Sequence, residues 1–211
     1  MTRPKRKLCA WPPVVRPNEA HPRRVWDPAI GRYAVRLHPG DYYATIAEDE
    51  TITTVLGSCV AACIRNPFLG YGGMNHFMLP HSDSGKWGGV SAALRYGNHA
   101  MEVLINAVLK SGCPRHQMEI KLFGGADFSA GLRVGEQNAR FALHYLEHEG
   151  LHPLTVDLGG NRPRVIQFTP ATGAVKRKLL DRPVRRIIEE ERRYQARIDT
   201  NPPEGDIELF T

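Results

Sequence analysis

No stretch of the sequence approaches the roughly 18 uninterrupted apolar residues that a membrane-spanning helix requires, so a helical membrane protein is not expected. The basic N-terminus is not followed by an apolar run, because Trp11-Pro12-Pro13 and Arg16-Pro17 interrupt it, and a secretory signal is not expected either. Cysteine is scarce: the four cysteines fall at 9, 59, 63 and 113, without the paired C-x-x-C spacing of a structural zinc site. Reduced thiols in a cytoplasmic protein are the simpler reading than a disulfide framework. There is no H-E-x-x-H. His144 and His148 stand four apart, with His152 beyond, but Glu147 and Glu149 beside them suit a solvated helix face, and neither a metal nor any other cofactor is expected. The second glycine of a G-x-S-x-G elbow is missing around Ser58, which disfavours a serine hydrolase. No repeat is found, and no nucleic-acid-binding motif accompanies the net charge of +6. Much of that excess sits near the two ends, in Arg3 to Arg24 and Lys176 to Arg197, as expected for solvated tails or for docking to an acidic protein surface.

What remains is an ordinary globular composition, 42% hydrophobic and 24% charged, in 211 residues. That length accommodates one domain of about 150 residues with tails. Residues 1–30, rich in Pro and Arg, cannot bury a core and read as a disordered tail. Residues 31–182 read as the domain, and 183–211 as a charged helix followed by a flexible end with an acidic-apolar terminus at Asp206 to Phe210. Within the domain, alternation predicts a strand from Tyr33 to Leu37, a short one from Tyr42 to Ile46, and others at Met118 to Phe123, Thr155 to Leu158, Arg164 to Phe168 and Val175 to Leu180. Helical periodicity predicts helices over Ser91 to Ser111, Glu136 to Glu149 and Ile187 to Ile198. The polar, glycine-rich His81 to Gly89 reads as a loop, either a lid or a plain connector. The order of elements gives a mixed α/β domain with helices covering a sheet.

The chain centres on Thr51 to Pro80, TITTVLGSCVAACIRNPFLGYGGMNHFMLP. Two β-prone runs, Gly57 to Arg65 and Tyr71 to Pro80, flank an Asn-Pro turn closed by Gly70, which predicts a β-hairpin. With the turn centred near 68, antiparallel partners sum to about 135 or 136, which places Cys59 directly across from His76 with Cβ atoms about 4.5–5.5 Å apart. An imidazole beside a thiol can lower its pKa and return the proton to a leaving group. The alternative is a small buried Cys and a satisfied core His. Gly57, Ser58 and Cys59 could offer backbone N–H groups to an oxyanion. By alternation the Ser58 side chain points away from Cys59. The hydroxyls of Thr51, Thr53 and Thr54 lie upstream as candidates to orient the histidine. Cys63 shares the face of Cys59 and reads as core filler.

The segment T-T-V-L-G-S-C-V-A-A-C followed by G-G-M-N-H-F-M-L-P closely resembles the CheD family of chemoreceptor glutamine deamidases. That family carries a Thr six residues before a Cys in L-G-S-C-V and a His seventeen residues after it, positions held here by Thr53, Cys59 and His76. The resemblance continues through Lys121 to Ala126, Val134 to Asn138 and Asp157 to Arg162. It implies a three-layer α-β-α sandwich with a mixed sheet, a glycine turn at 124–125 near the active centre, and a cysteine-dependent protein-glutamine glutaminase in which Thr53 orients His76. It further implies cytoplasmic substrates, glutamines on the helical coiled coil of methyl-accepting chemotaxis receptors, with methyl-glutamate ester hydrolysis as a side activity and a CheC-type phosphatase as a conceivable partner. A module that only docks on receptors or on such a phosphatase, and a thiol protease, are the rival readings.

Overall fold

The computed structural model describes residues 24–79, 90–127, 133–181 and 185–200. In chain order the elements are β1 (Arg24–Asp27), β2 (Arg32–Arg36), β3 (Tyr42–Thr45), β4 (Glu50–Leu56), β5 (Val60–Asn66), β6 (Tyr71–Asn75), α1 (Val90–Lys110), β7 (Glu119–Gly124), α2 (Val134–His148), β8 (Thr155–Leu158), β9 (Arg164–Thr169), β10 (Ala174–Leu179) and α3 (Arg185–Thr200). The mixed α/β single domain expected from the sequence is what the chain forms. Its strands divide between two five-stranded sheets, ordered β1-β2-β4-β9-β10 and β3-β6-β5-β7-β8, instead of lying in one.

Strand β5 shows why two sheets are needed. Almost every residue of it is buried, so both of its faces must be covered by apolar surface. Val60, Ala62 and Ile64 point into a cluster filled by Met101, Leu104, Ile105 and Val108 of α1 and by Phe141, Ala142, Tyr145 and Leu146 of α2. Ala61 and Cys63, with Cys59 just before them, point the other way, against Val35, Ile52, Leu56, Ile166 and Phe168 of the first sheet. The layers therefore run from sheet to sheet to the α1 and α2 pair, and the seam between the sheets is a dry core.

The hairpin β5–β6 forms as the turn chemistry requires. Asn66 Oδ1 accepts from the N–H groups of Phe68 and Leu69 at 3.0 and 3.4 Å, and Gly70 turns the chain at φ +70°, a conformation open to glycine at little cost. Four residues form the loop, because Asn66 pairs with Tyr71.

At the N-terminal side, the tail expected through residue 30 gives way earlier to β1. Trp26 meets Tyr33 edge-on at 5.2 Å, and Arg24 lies over the Tyr33 ring while bonding Glu50 at 2.5 Å. These pairings anchor a hairpin that composition alone did not suggest. Residues 1–23, the His81 to Gly89 segment expected as a loop, and the terminus from Asp206 to Phe210 lie outside the described residues. None of the described helices is long and apolar enough to cross a membrane.

Candidate active site

Cys59 and His76 lie just beyond the paired ends of β5 and β6. Cys63 faces Met74 and Val60 faces Phe77, so partner numbers sum to 137. Cys59 is thus displaced from the direct cross-strand position, because Asn66 is itself paired with Tyr71 and the turn is centred later than expected. The displacement is an even number of residues. Parity is kept, and Cys59 and His76 share one face as diagonal neighbours, a relation in which Cβ atoms stand about 7–8 Å apart or somewhat less. Both are buried, at 0% and 2% exposure.

His76 is held by backbone and side chain. Its N–H donates to Asp41 O at 2.8 Å and its carbonyl accepts from Gly40 N–H at 2.7 Å. Its Nδ1 lies 2.7 Å from Thr54 Oγ1, and the same hydroxyl donates to Leu37 O at 2.9 Å. A hydroxyl has one proton to give. With that proton committed to Leu37, Thr54 must accept from Nδ1–H, so the tautomer leaves a lone pair on Nε2. Nε2 is buried and has no hydrogen-bond partner among the described residues. That lone pair is chemically able to take a proton. Burial, then the charge of nearby His38, pulls the imidazole down to a pKa of about 3, so it is neutral at ordinary pH.

Thr54, and not Thr53, is therefore the hydroxyl on the histidine. The buried residues Ile52, Thr54 and Leu56 form the inward face of β4. Thr53 lies on the other face, half-buried, paired in the sheet with Arg36 and Gln167. Thr51 shares that outer face and meets Thr169 Oγ1 at 3.1 Å. The inward pattern of Ile52 and Leu56 was the signal in the sequence that could have selected Thr54.

The backbone around Cys59 is shaped from two sides. Gly125 N–H donates to Cys59 O at 2.7 Å and Ala126 N–H to Gly57 O at 2.9 Å. Gly124 stands at φ +115° with its Cα so close to Cys59 O that no Cβ fits. On the other side Asn138, fully buried on α2, donates to Ser58 O at 2.9 Å and accepts from Leu79 N–H at 2.8 Å. Ser58 C=O and Cys59 N–H belong to one planar trans peptide and point in opposite directions. Fixing the carbonyl on Asn138 thus aims the Cys59 N–H outward on the far side.

A carboxylate stands at that far side. Glu191 Oε1, from α3, accepts from Gly57 N–H at 3.1 Å and from Cys59 N–H at 3.4 Å. Its Oε2 accepts from the Ser58 hydroxyl at 2.7 Å. Two backbone donors that flank the thiol thus converge on one anionic oxygen, the arrangement an oxyanion requires. Ser58 takes part through its hydroxyl, which reaches the same carboxylate as the Cys59 N–H instead of pointing away, because residues 57 and 58 form a bend before β5 begins. Burial and the adjacent Glu191 charge push the Cys59 thiol well above its ordinary value, with the carboxylate adding to the effect of burial. Burial likewise raises Cys63, although Lys121 opposes it, and Cys63 packs in the seam as core filler. His144, His148 and His152 are exposed on or beside α2, away from the buried thiol and imidazole. Asn138 and Glu191 are the two site residues that sequence reasoning did not single out.

Thiol, imidazole, hydroxyl and paired N–H groups make a constellation for nucleophilic attack on an acyl carbon with proton return to the leaving group. The family model described as CheD chemotactic sensory transduction matches residues 78–179. A curated protein of Halorhodospira halophila named "Probable chemoreceptor glutamine deamidase CheD" is 46% identical over 200 residues, covering 92% of each chain. Proteins bearing essentially the same name are 45% identical in Shewanella oneidensis, over 90% of this chain and 93% of that one, and 43% identical in Saccharophagus degradans, over 89% of each. Among solved structures, a Neisseria meningitidis protein of the DUF152 family model superposes with a TM-score of 0.37 at 13% identity, over 63% of this chain and 64% of that one.

Proposed function

Because the chain belongs to the CheD family of chemoreceptor glutamine deamidases, we propose that it hydrolyses glutamine side-chain amides on the cytoplasmic coiled coil of methyl-accepting chemotaxis receptors, with Cys59 as nucleophile. The observation that carries the cysteine mechanism is the convergence of the Gly57 and Cys59 N–H groups on one anionic oxygen beside the thiol.

The Cys59 proton passes to the Nε2 lone pair of His76, and the sulfur attacks the amide carbon. The carbonyl oxygen gathers negative charge against the two N–H groups. As the C–N bond breaks, Nε2–H gives the proton to the leaving nitrogen and ammonia departs. His76 then takes a proton from water, whose oxygen attacks the thioester carbon. The C–S bond breaks, glutamate leaves, and the thiol recovers its proton. Thr54 keeps Nδ1–H in place through both halves and accepts more strongly from the imidazolium than from the neutral ring.

The excess of Lys and Arg suits docking on receptors that carry many acidic side chains. The reaction belongs in the cytoplasm, where the receptor coiled coils lie. A CheC-type phosphatase is a partner to test by the same binding assay as the receptor. The deciding experiment is mass spectrometry of a purified receptor cytoplasmic fragment incubated with the wild-type chain and with Cys59→Ala. The expected result is a gain of about one dalton per modified glutamine with wild type alone. A receptor fragment that binds but does not change mass would leave only the docking-module reading.

A further inference from the structure

Helix α3 reaches the site as a built element. Tyr194 is 6% exposed and packs in the seam cluster with Leu37, Tyr43 and Met78. Its ring lies against Gly40, where an added Cβ would come within 2.5 Å of it. Gly40 is the residue whose N–H holds the His76 carbonyl. One turn back on the same helix face, Glu190 lies 3.6 Å from His38 Nδ1, and Glu191 sits three residues before Tyr194, so the ring and the carboxylate descend side by side.

A glutamate carboxylate has the planar shape of a glutamine amide and is what the deamidated amide becomes. Oε1 takes the two N–H donors that suit a carbonyl oxygen. Oε2 takes the Ser58 hydroxyl, a group that can donate to a carboxylate or accept from an amide NH₂. Resting on the deamidase reading above, we propose that α3 is the chain's own occupant of the substrate site, with Glu191 standing in the position of the deamidated product, so that a receptor helix must displace α3 before Cys59 can act. The site thus receives a Glu or Gln side chain presented from a helix. Electrostatics point the same way: the Glu191 charge opposes formation of a thiolate at Cys59, whereas a neutral glutamine amide in that place would not.

The test uses the full chain. Glu191→Ala and, on the helix anchor that does not bond the Cys59 backbone, Tyr194→Ala should each raise the rate at which iodoacetamide alkylates Cys59, read by peptide mass spectrometry, by about tenfold, with a similar rise in kcat/KM on a receptor fragment for Tyr194→Ala, as expected when an occupant filling the site about nine-tenths of the time is removed. Cys59 in Glu191→Ala should also alkylate at lower pH than in wild type. Glu191→Gln makes α3 a substrate: Cys59 forms a thioester with the residue 191 side chain, ammonia leaves with the His76 proton, and water restores glutamate and thiol, a net gain of about one dalton that vanishes when Cys59→Ala is added. Alkylation at the wild-type rate in both alanine variants overturns the proposal. So does a Glu191→Gln chain that keeps its glutamine while deamidating added receptor. Faster alkylation with no change in any receptor fragment would instead keep the occupant and remove the deamidase reading.

Discussion

Thr54 fixes which nitrogen of His76 carries the lone pair, and so which would be the base in the proposed mechanism. Its single proton is bound to Leu37 O, so it can serve Nδ1 only as an acceptor. Thr54→Val keeps the shape and removes that acceptor, and kcat should fall by about tenfold to a hundredfold, part of what general acid–base catalysis contributes. Thr54→Ser should restore most of it. Thr53→Ala, on the outer face of β4, should stay near wild type in the same deamidation assay, and a larger loss at 53 than at 54 would reverse the assignment. At this scale the sequence made legible that Cys59 and His76 share one face of the hairpin, though as diagonal and not direct neighbours. For the histidine's partner the residues left Thr51, Thr53 and Thr54 open and the resemblance pointed to Thr53; identical side chains leave the choice to strand parity, which selects Thr54.

Between residue and domain, α2 acts on the nucleophile without touching it. Asn138 bridges the Ser58 carbonyl and the Leu79 N–H, linking the segment before β5 to the segment after β6. Asn138→Ala would leave two backbone groups unpaired in a dry place, and urea unfolding should show a loss of about 1–3 kcal/mol. It should also lower kcat beyond the effect of an equally destabilising core change such as Val108→Ala, since the Cys59 peptide loses its anchor. Full activity in the folded variant would show that the peptide is oriented without it. The β5–β6 hairpin and the helices were readable because each rests on local turn chemistry or a local period: Asn66 and Gly70 for one, the Met101, Leu104, Val108 stripe for another. The pairing of β4 with β9 was not readable. Strands more than a hundred residues apart carry no mark of their partner, so the division into two sheets emerged only in three dimensions. Glu191 was hidden for a related reason. In the run Glu189-Glu190-Glu191 nothing local distinguishes the carboxylate that turns inward.

Across the whole molecule, the site spans the seam: Thr54 comes from one sheet, Cys59 and His76 from the ends of two inner strands of the other. The sheets are tied at the opposite flank by Arg164 of β9, buried, whose guanidinium bonds Asp157 of β8 at 2.7 Å. A His held neutral in such a seam couples protons to folding. Its pKa is about 3 folded and about 6.5 unfolded. Between those values the unfolded chain binds the extra proton, so stability falls as pH drops from about 6.5 toward 3, by up to about 1.4 kcal/mol per pH unit from this group. Thermal unfolding of His76→Gln should show a shallower decline over that window, and identical slopes would mean that His76 titrates in the folded state near its usual value. The neutral state of the pair has one more consequence, for the chemical lifetime of the protein. Peroxides attack thiolates and not thiols, and Cys59 rests buried and protonated beneath a carboxylate. On the proposed mechanism and the proposed displacement of α3, the Cys59 thiol is shielded from oxidation for as long as the helix stays down, and it becomes vulnerable only during the interval in which it is at work.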